Sequence, residues 1–147
     1  MLNRITRLTL QNKTGAELIY KILEKHNVST VFGYTGGAVL PLTDRFHKEF
    51  GEKIKHIMNR NEACSGHAAE GYAKASNKLG VVITTSGPGL TNLITPLQDA
   101  YSDGVPVLAI SGQVPTNALG TDAFQECPAI ELTKACTKWN KQIRTIE

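Results

Sequence analysis

The chain has 147 residues, of which 41% are hydrophobic and 20% charged, the size and make-up of one soluble globular domain with a substantial core. Sixteen basic against thirteen acidic side chains leave +3 with neutral histidines, too weak and too evenly spread for a nucleic-acid surface. No apolar run approaches the roughly 18 residues of a membrane span, and Cys64, Cys127 and Cys136 form no CxxC pair, which argues against a disulfide framework or zinc site and for a reducing compartment.

Residues 1–13 read as a basic N-terminal tail: Arg4, Arg7 and Lys13 are there, and no acid precedes Glu17. A frayed tail places the protein in the cytoplasm; a mitochondrial or plastid leader is the alternative for such a stretch. The domain then runs over 14–147. Thr14 and Glu17 spell a capping box at the start of a helix whose apolar face is Leu18, Ile19, Ile22 and Leu23 and which ends near Asn27. Residues 30–32 form a short strand that runs into the turn GYTGG at 33–37. A second helix carries Val39, Leu42, Phe46 and Phe50 at helical spacing.

Residues 54–58 are the next strand, which is expected to be buried. It stops at 59–61 and hands over to a helix with Glu62 at the junction, where the helix dipole favours an anion. That helix is built from small residues, among them Ala63, Ser65, Gly66, Ala69 and Ala73, so another backbone can approach it closely. Residues 81–85 are a β-branched strand expected to be covered on both faces. After SGPG at 86–89, Leu90, Leu93, Ile94, Leu97 and Tyr101 mark a helix that Pro96 bends. A further buried strand at 105–110 ends at Ser111 and Gly112. Residues 113–128 have no regular period, and loops of that length are functional or disordered; Phe124 and Gln125 stand out within it. A short helix at 130–136 and an incipient strand at 141–146 complete the chain.

Strands alternating with helices predict an α/β fold, a parallel sheet with helices on both faces. Right-handed crossovers bring all strand C-termini to one edge, so the glycine turns and Glu62 are expected to share one site there. Duller readings apply to most motifs. SGPGLTN at 86–92 lacks the lysine of a P-loop and the third glycine of a dinucleotide loop, so it reads as a tight turn that lets a flat ring approach the backbone. Gly36 and Gly37 alone would be a plain turn. Glu62, His67 and Glu70 suggest a metal cluster, but Glu62 and His67 face differently on a helix and no metal site is assigned. Glu70 reads as a structural ion pair, His67 as a satisfied helix histidine and Cys64 as a packing residue.

A resemblance sharpens this reading. FGYTGGAVLP at 32–41, NEACSGHAAEGYAKAS at 61–76, TTSGPGLTNLITPLQDAYSDGVPVLAISGQVP at 84–115, GTDAFQE at 120–126 and CTKWN at 136–140 resemble, in order, the start of acetohydroxyacid (acetolactate) synthase catalytic subunits. The chain is similar to their pyrimidine-binding domain, which takes one end of thiamine diphosphate. Matched to that motif, Glu62 falls on the family's catalytic glutamate. The resemblance implies that a carboxylate bonded to N1′ of the aminopyrimidine favours its imino tautomer, so the 4′ nitrogen can act as base on the thiazolium.

The resemblance further implies that Gly36 and Gly37 leave room over the thiazolium. Pro88 and Asn92 lie by the pyrimidine, and Gln113 ends the following strand in the cofactor site. Phe124 and Gln125 reach toward the substrate across a dimer interface, with Gln125 counted as catalytic. Thr35 stands where the family has proline, which should loosen the first glycine turn, and Asn61 and Ala63 flank Glu62 where the family has His and Gln.

Family enzymes are several times longer and bind magnesium and diphosphate, and in some cases FAD, through other domains; the GDG…N motif for this is not found here. The expectation is a domain without its last helix and strand that holds half of a site for pyruvate or another 2-oxo acid. It would be completed in a homodimer or by a diphosphate-binding partner. Two alternatives stay open at this point: a non-catalytic association module, and one chain of a split 2-oxo acid decarboxylase.

Overall fold

The computed structural model describes residues 13–48 and 53–145. Expectations for residues 1–12, for Phe50 and for Ile146 fall outside the described residues. The capping box forms as read: Glu17 N–H donates to Thr14 Oγ1 (3.2 Å) and Thr14 N–H to Glu17 Oε2 (2.8 Å), opening α1 (Gly15–Lys25). β1 (Thr30–Gly33) leads through a 3-10 turn (Gly37–Val39) into α2 (Leu40–Lys48). β2 (Lys55–Met58), α3 (Glu62–Ser76) and β3 (Gly80–Thr84) follow. Then come α4 (Pro88–Thr91), α5 (Ile94–Ser102), β4 (Val107–Ser111), a 3-10 turn (Thr116–Ala118) and α6 (Ala129–Thr133).

The four strands pair in parallel in the order β2-β1-β3-β4. The chain works outward from β1 to β2, then crosses back to β3, so the order reverses between β1 and β3. Register puts Gly33 level with Met58 and Ile83, and Thr84 level with Ser111, so the strands end together at one edge. A switch point between strand ends is where open α/β sheets bind ligands. Side chains alternate between two cores. Val31, Val81 and Ile83 meet Tyr20, Leu23, Leu42 and Phe46 of α1 and α2. Phe32 and Val82 meet Ala69 of α3, and Leu93, Leu97 and Cys136 on the same side. Helices on both faces of a parallel sheet were expected, and β3 is fully buried for that reason.

The small residues of α3 do what their size allows. A Cβ on Gly80 would strike the carbonyl oxygen of Ala69, and one on Gly66 would strike the ring of Pro96. The helix thus rests directly on β3 and α5. Gly33 is held to glycine by the same close approach, with the Ile83 carbonyl oxygen where its Cβ would be.

Several expectations need correction. β2 and β4 are not buried: among the described residues each is an edge strand with no buried position, and Met58 is 56% and Leu108 37% exposed. Pro96 does not bend one helix but divides it. Lacking an N–H, it leaves the carbonyl four residues back, at Asn92, unclaimed, and the break falls at Asn92 and Leu93, between α4 and α5. Leu93 N–H turns instead to Leu90 O (2.8 Å). Cys64 is exposed rather than packed. Residues 141–145 form no strand, and Ile143 is 78% exposed, because no neighbouring strand lies beside them among the described residues. In the first glycine turn the Thr35 hydroxyl is hydrogen-bonded to that of Thr43 in α2 (3.2 Å).

Two glycines of α3 should respond oppositely to alanine. Gly66→Ala should destabilise by about 1–3 kcal/mol, because the new methyl must displace a rigid proline ring. Gly71→Ala meets nothing within 4 Å and should stabilise by about 0.5–1 kcal/mol. Urea unfolding of the two variants measures both.

Candidate functional site

Glu62 is the first residue of α3. Asn61 before it has extended backbone (φ −148°, ψ 139°), and its side-chain oxygen accepts the Ala63 N–H at 2.8 Å. Asparagine is among the best residues for that cap, so the departure from the family's histidine leaves the helix start sound. A 15-residue helix thereby points its positive end at the Glu62 carboxylate. Glu62 Oε2 accepts a hydrogen bond from Asn92 Nδ2 at 2.8 Å. Asn92 sits in the break that Pro96 imposes between α4 and α5. The other oxygen, Oε1, lies 3.6 Å from where a Cβ on Gly89 would stand.

Gly89 and Gly36 face the same neighbour. A Cβ on Gly36 would fall 2.5 Å from Thr85 Cβ, and one on Gly89 would fall 2.8 Å from Thr85 Cγ2 and 2.5 Å from Thr84 Oγ1. Gly36, Thr85, Gly89, Glu62 and Asn92 therefore form one continuous surface across the ends of β1, β2 and β3. The hydroxyls of Thr84 and Thr85 are buried without a hydrogen-bond partner. Gly112 at the end of β4 abuts Ala38 and Val39, closing the rim behind them. Glu62 is only partly buried, so this surface is an open half-cradle and not an enclosed cleft.

The other residues singled out in the sequence lie as follows. Pro88 is exposed at the first position of α4. Gly37 is exposed with open space beside it, so nothing in the chain itself demands glycine there. Gln125 comes to the site by its backbone: a Cβ on Gly87 (φ +56°) would lie 2.7 Å from Gln125 O. Phe124 is 88% exposed. Gln113 is not brought to Glu62; its amide donates to Cys127 O (2.9 Å) and accepts from Val114 N–H (2.9 Å). A cavity of about 300 Å³ lies beside it, lined among others by Glu126, Ile130 and Arg144.

Sequence reading missed Thr85, the wedge between two glycines, and Glu126, whose carboxylate gathers the loop. The signals were modest: paired threonines before SGPG, and an acid closing GTDAFQE.

His67, Glu70 and Asp99 bring three ligand-type atoms within 4.8 Å of one another, away from Glu62 as the helix geometry required. Their partners are ionic. Buried Glu70 pairs with Lys74 (2.8 Å) and His67 (3.3 Å), and Lys74 also reaches Asp103 (2.7 Å). The Lys74 hydrogen bond, aided by His67, holds the Glu70 carboxyl below its ordinary range against the opposing effect of burial. Both carboxylates raise the Lys74 ammonium above its own.

Gly36 and Gly89 let two stretches of backbone close onto Thr84 and Thr85, forming a shelf with no side chains of its own, and the Glu62 oxygen not bonded to Asn92 lies beside it. Residues 13–132 match the family described as thiamine pyrophosphate enzyme, N-terminal TPP binding domain. The chain is 48% identical over 134 residues to the mitochondrial acetolactate synthase catalytic subunit of Saccharomyces cerevisiae, covering 91% of this chain and 19% of that protein. It is 48% identical over 139 residues to the acetolactate synthase large subunit of Lactococcus lactis, covering 94% and 24%. It is 48% identical over 133 residues to the probable acetolactate synthase large subunit of Methanocaldococcus jannaschii, covering 90% and 22%. The chain thus spans about a fifth of the length of these curated relatives. Among the described residues no helix is long and apolar enough to cross a membrane.

The Glu70 network predicts a pH dependence. A carboxylate with a depressed folded pKa contributes stability above its unfolded value, near 4.5, and loses it as pH falls through the lower folded value. Glu70→Gln should cost about 1.5–3 kcal/mol at pH 7, as expected for hydrogen bonds to a buried charge. The loss should shrink toward zero below pH 4.5, measured by unfolding across that range.

Proposed function

From the premise that this chain belongs to the family of N-terminal TPP-binding domains of thiamine pyrophosphate enzymes, we propose that it is the pyrimidine-binding half of an acetolactate-synthase-type carboligase. Such an enzyme decarboxylates pyruvate and joins the two-carbon unit to a second 2-oxo acid in branched-chain amino-acid synthesis. The observation that carries this reading is the Glu62 carboxylate: one oxygen is satisfied by Asn92, and the other faces the glycine shelf at the head of a helix. Thiamine diphosphate, when bound, supplies an electron sink for the carbons of a 2-oxo acid and an aminopyrimidine whose tautomer a carboxylate can set.

The chain's residues divide the remaining work. Glu62 Oε1 would share a proton with a ring nitrogen of the bound aminopyrimidine, and Asn92 keeps the carboxylate from turning away. Gly36 and Gly89 let the backbone close onto Thr85, which would lie beneath the ring, and Pro88 would border it. Gly37 lies open where the rest of the cofactor would pass. Phe124, exposed, and Gln125, whose backbone meets Gly87, would serve the substrate in this reading. An open half-cradle needs a facing surface to exclude water, which a second subunit or a diphosphate-binding domain would provide. That surface would also hold magnesium and, in enzymes that carry it, flavin. Gln113 supports the 113–128 loop in this reading.

The pyrimidine end offers one charged hydrogen bond, about 1.5–3 kcal/mol net, plus partial ring burial. That corresponds to a dissociation constant around millimolar or weaker. The purified chain should therefore form no acetolactate from pyruvate with thiamine diphosphate and magnesium. Residues 13–132 grafted in place of the matching part of the yeast relative should restore turnover, and Glu62→Gln in that graft should lower kcat by about 10²–10⁴-fold. Turnover by the chain alone would refute the half-site reading; a graft indifferent to Glu62→Gln would refute the acid's assignment.

A further inference from the structure

Residues 113–128 hold an unusual backbone. Gly120 (φ 80°), Asp122 (φ 55°) and Gln125 (φ 61°) are all left-handed within six residues, and two of them are not glycine. Non-glycine residues in that region are strained, by about 1–3 kcal/mol each, and persist only where their surroundings hold them.

The Glu126 carboxylate provides that hold. Its Oε1 accepts the Gly120 N–H at 2.6 Å and its Oε2 the Ala123 N–H at 3.3 Å, while its own N–H donates to Ala123 O at 2.8 Å. The next residue is tied as well, since Gln113 Nε2 donates to Cys127 O. The loop is thus anchored on both sides of Gln125, through Ala123 and Glu126 before and after it and through Gln113 at the end of β4. What the anchoring achieves is contact: Gln125 Cα and O press against Gly87, leaving no room for a side chain there. Gly87 is the N-cap of α4, two residues before the glycine that faces Glu62 Oε1.

We propose that Glu126 is a positioning residue of the cofactor site: its carboxylate, assisted by the Gln113 amide, locks Gln125 onto Gly87 and so fixes the backbone that leads to Gly89 beside Glu62. The functional meaning of that backbone rests on the reading of Glu62 above; the mechanical link does not. Glu126 touches neither ring nor substrate and acts only through the Gly87–Gly89 backbone.

Amide resonances of the 147-residue chain test the link directly. In Glu126→Ala the Gly120 and Ala123 amides should exchange about tenfold faster, as for loss of a hydrogen bond to a charged group, and the Gly87 and Gly89 resonances should move although neither residue touches Glu126. Glu126→Asp, one methylene too short to span both donors, should behave like Ala at Ala123. Glu126→Gln, which keeps the length, should retain most of the protection at Gly120. These conservative variants keep the test decisive where Glu126→Ala does not fold. If disturbance stays within residues 120–127 and Gly87 and Gly89 hold their positions, the proposal is overturned. Glu62→Gln should leave the exchange rates of the Gly120 and Ala123 amides unchanged, so failure of Glu62 to matter for the cofactor would count against the function and not against this link.

Discussion

The ring of Pro96 seated in the notch of Gly66 is the contact on which the rest of the site depends. Pro96 cannot bond back to Asn92 and so ends α4 there, and the same ring fills the space that Gly66 leaves on α3. One residue thus sets both the distance between α3 and α5 and the place where the intervening backbone opens. Asn92, at that opening, holds Glu62 on the neighbouring helix.

The two glutamates of α3 show how environment divides identical chemistry. Glu70 is buried in the middle of the helix and surrounded by Lys74 and His67, which fix it as an ion. Glu62 is partly exposed at the helix head, with one neutral amide on one oxygen and an open glycine shelf beside the other. A paired ion contributes to stability, whereas a carboxylate with an uncommitted oxygen is available to a ligand. The positive end of the helix lies at Glu62 without occupying that oxygen.

Much of this was legible in the sequence because it depends on local pattern. The capping box at Thr14 and Glu17, the β-branched run at 81–84 and the strand-to-helix junction at Glu62 are each specified by a few adjacent residues. The edge strands were misread because burial depends on how many strands lie alongside, which composition does not encode: the apolar residues of β2 and β4 look like those of β3. Pro96 is legible as a disturbance, but whether it bends a helix or divides one is not set by its own residue type. Glu126 was overlooked because its partners are backbone amides, which have no sequence signature. Cys64 was read as packing because small size on a helix does not say which face it occupies.

The open side of β4 has a consequence for the protein in solution. Val107, Leu108, Ala109 and Ile110 present a row of backbone donors and acceptors with no charged residue among them, and among the described residues nothing pairs with that row. Soluble proteins ordinarily guard such rows with lysine, a bulge or a covering segment, because a bare strand recruits any extended peptide that meets it. Left unguarded, this border would make the colloidal behaviour of the chain depend on its concentration, with self-adhesion along one line of the molecule while the core remains intact.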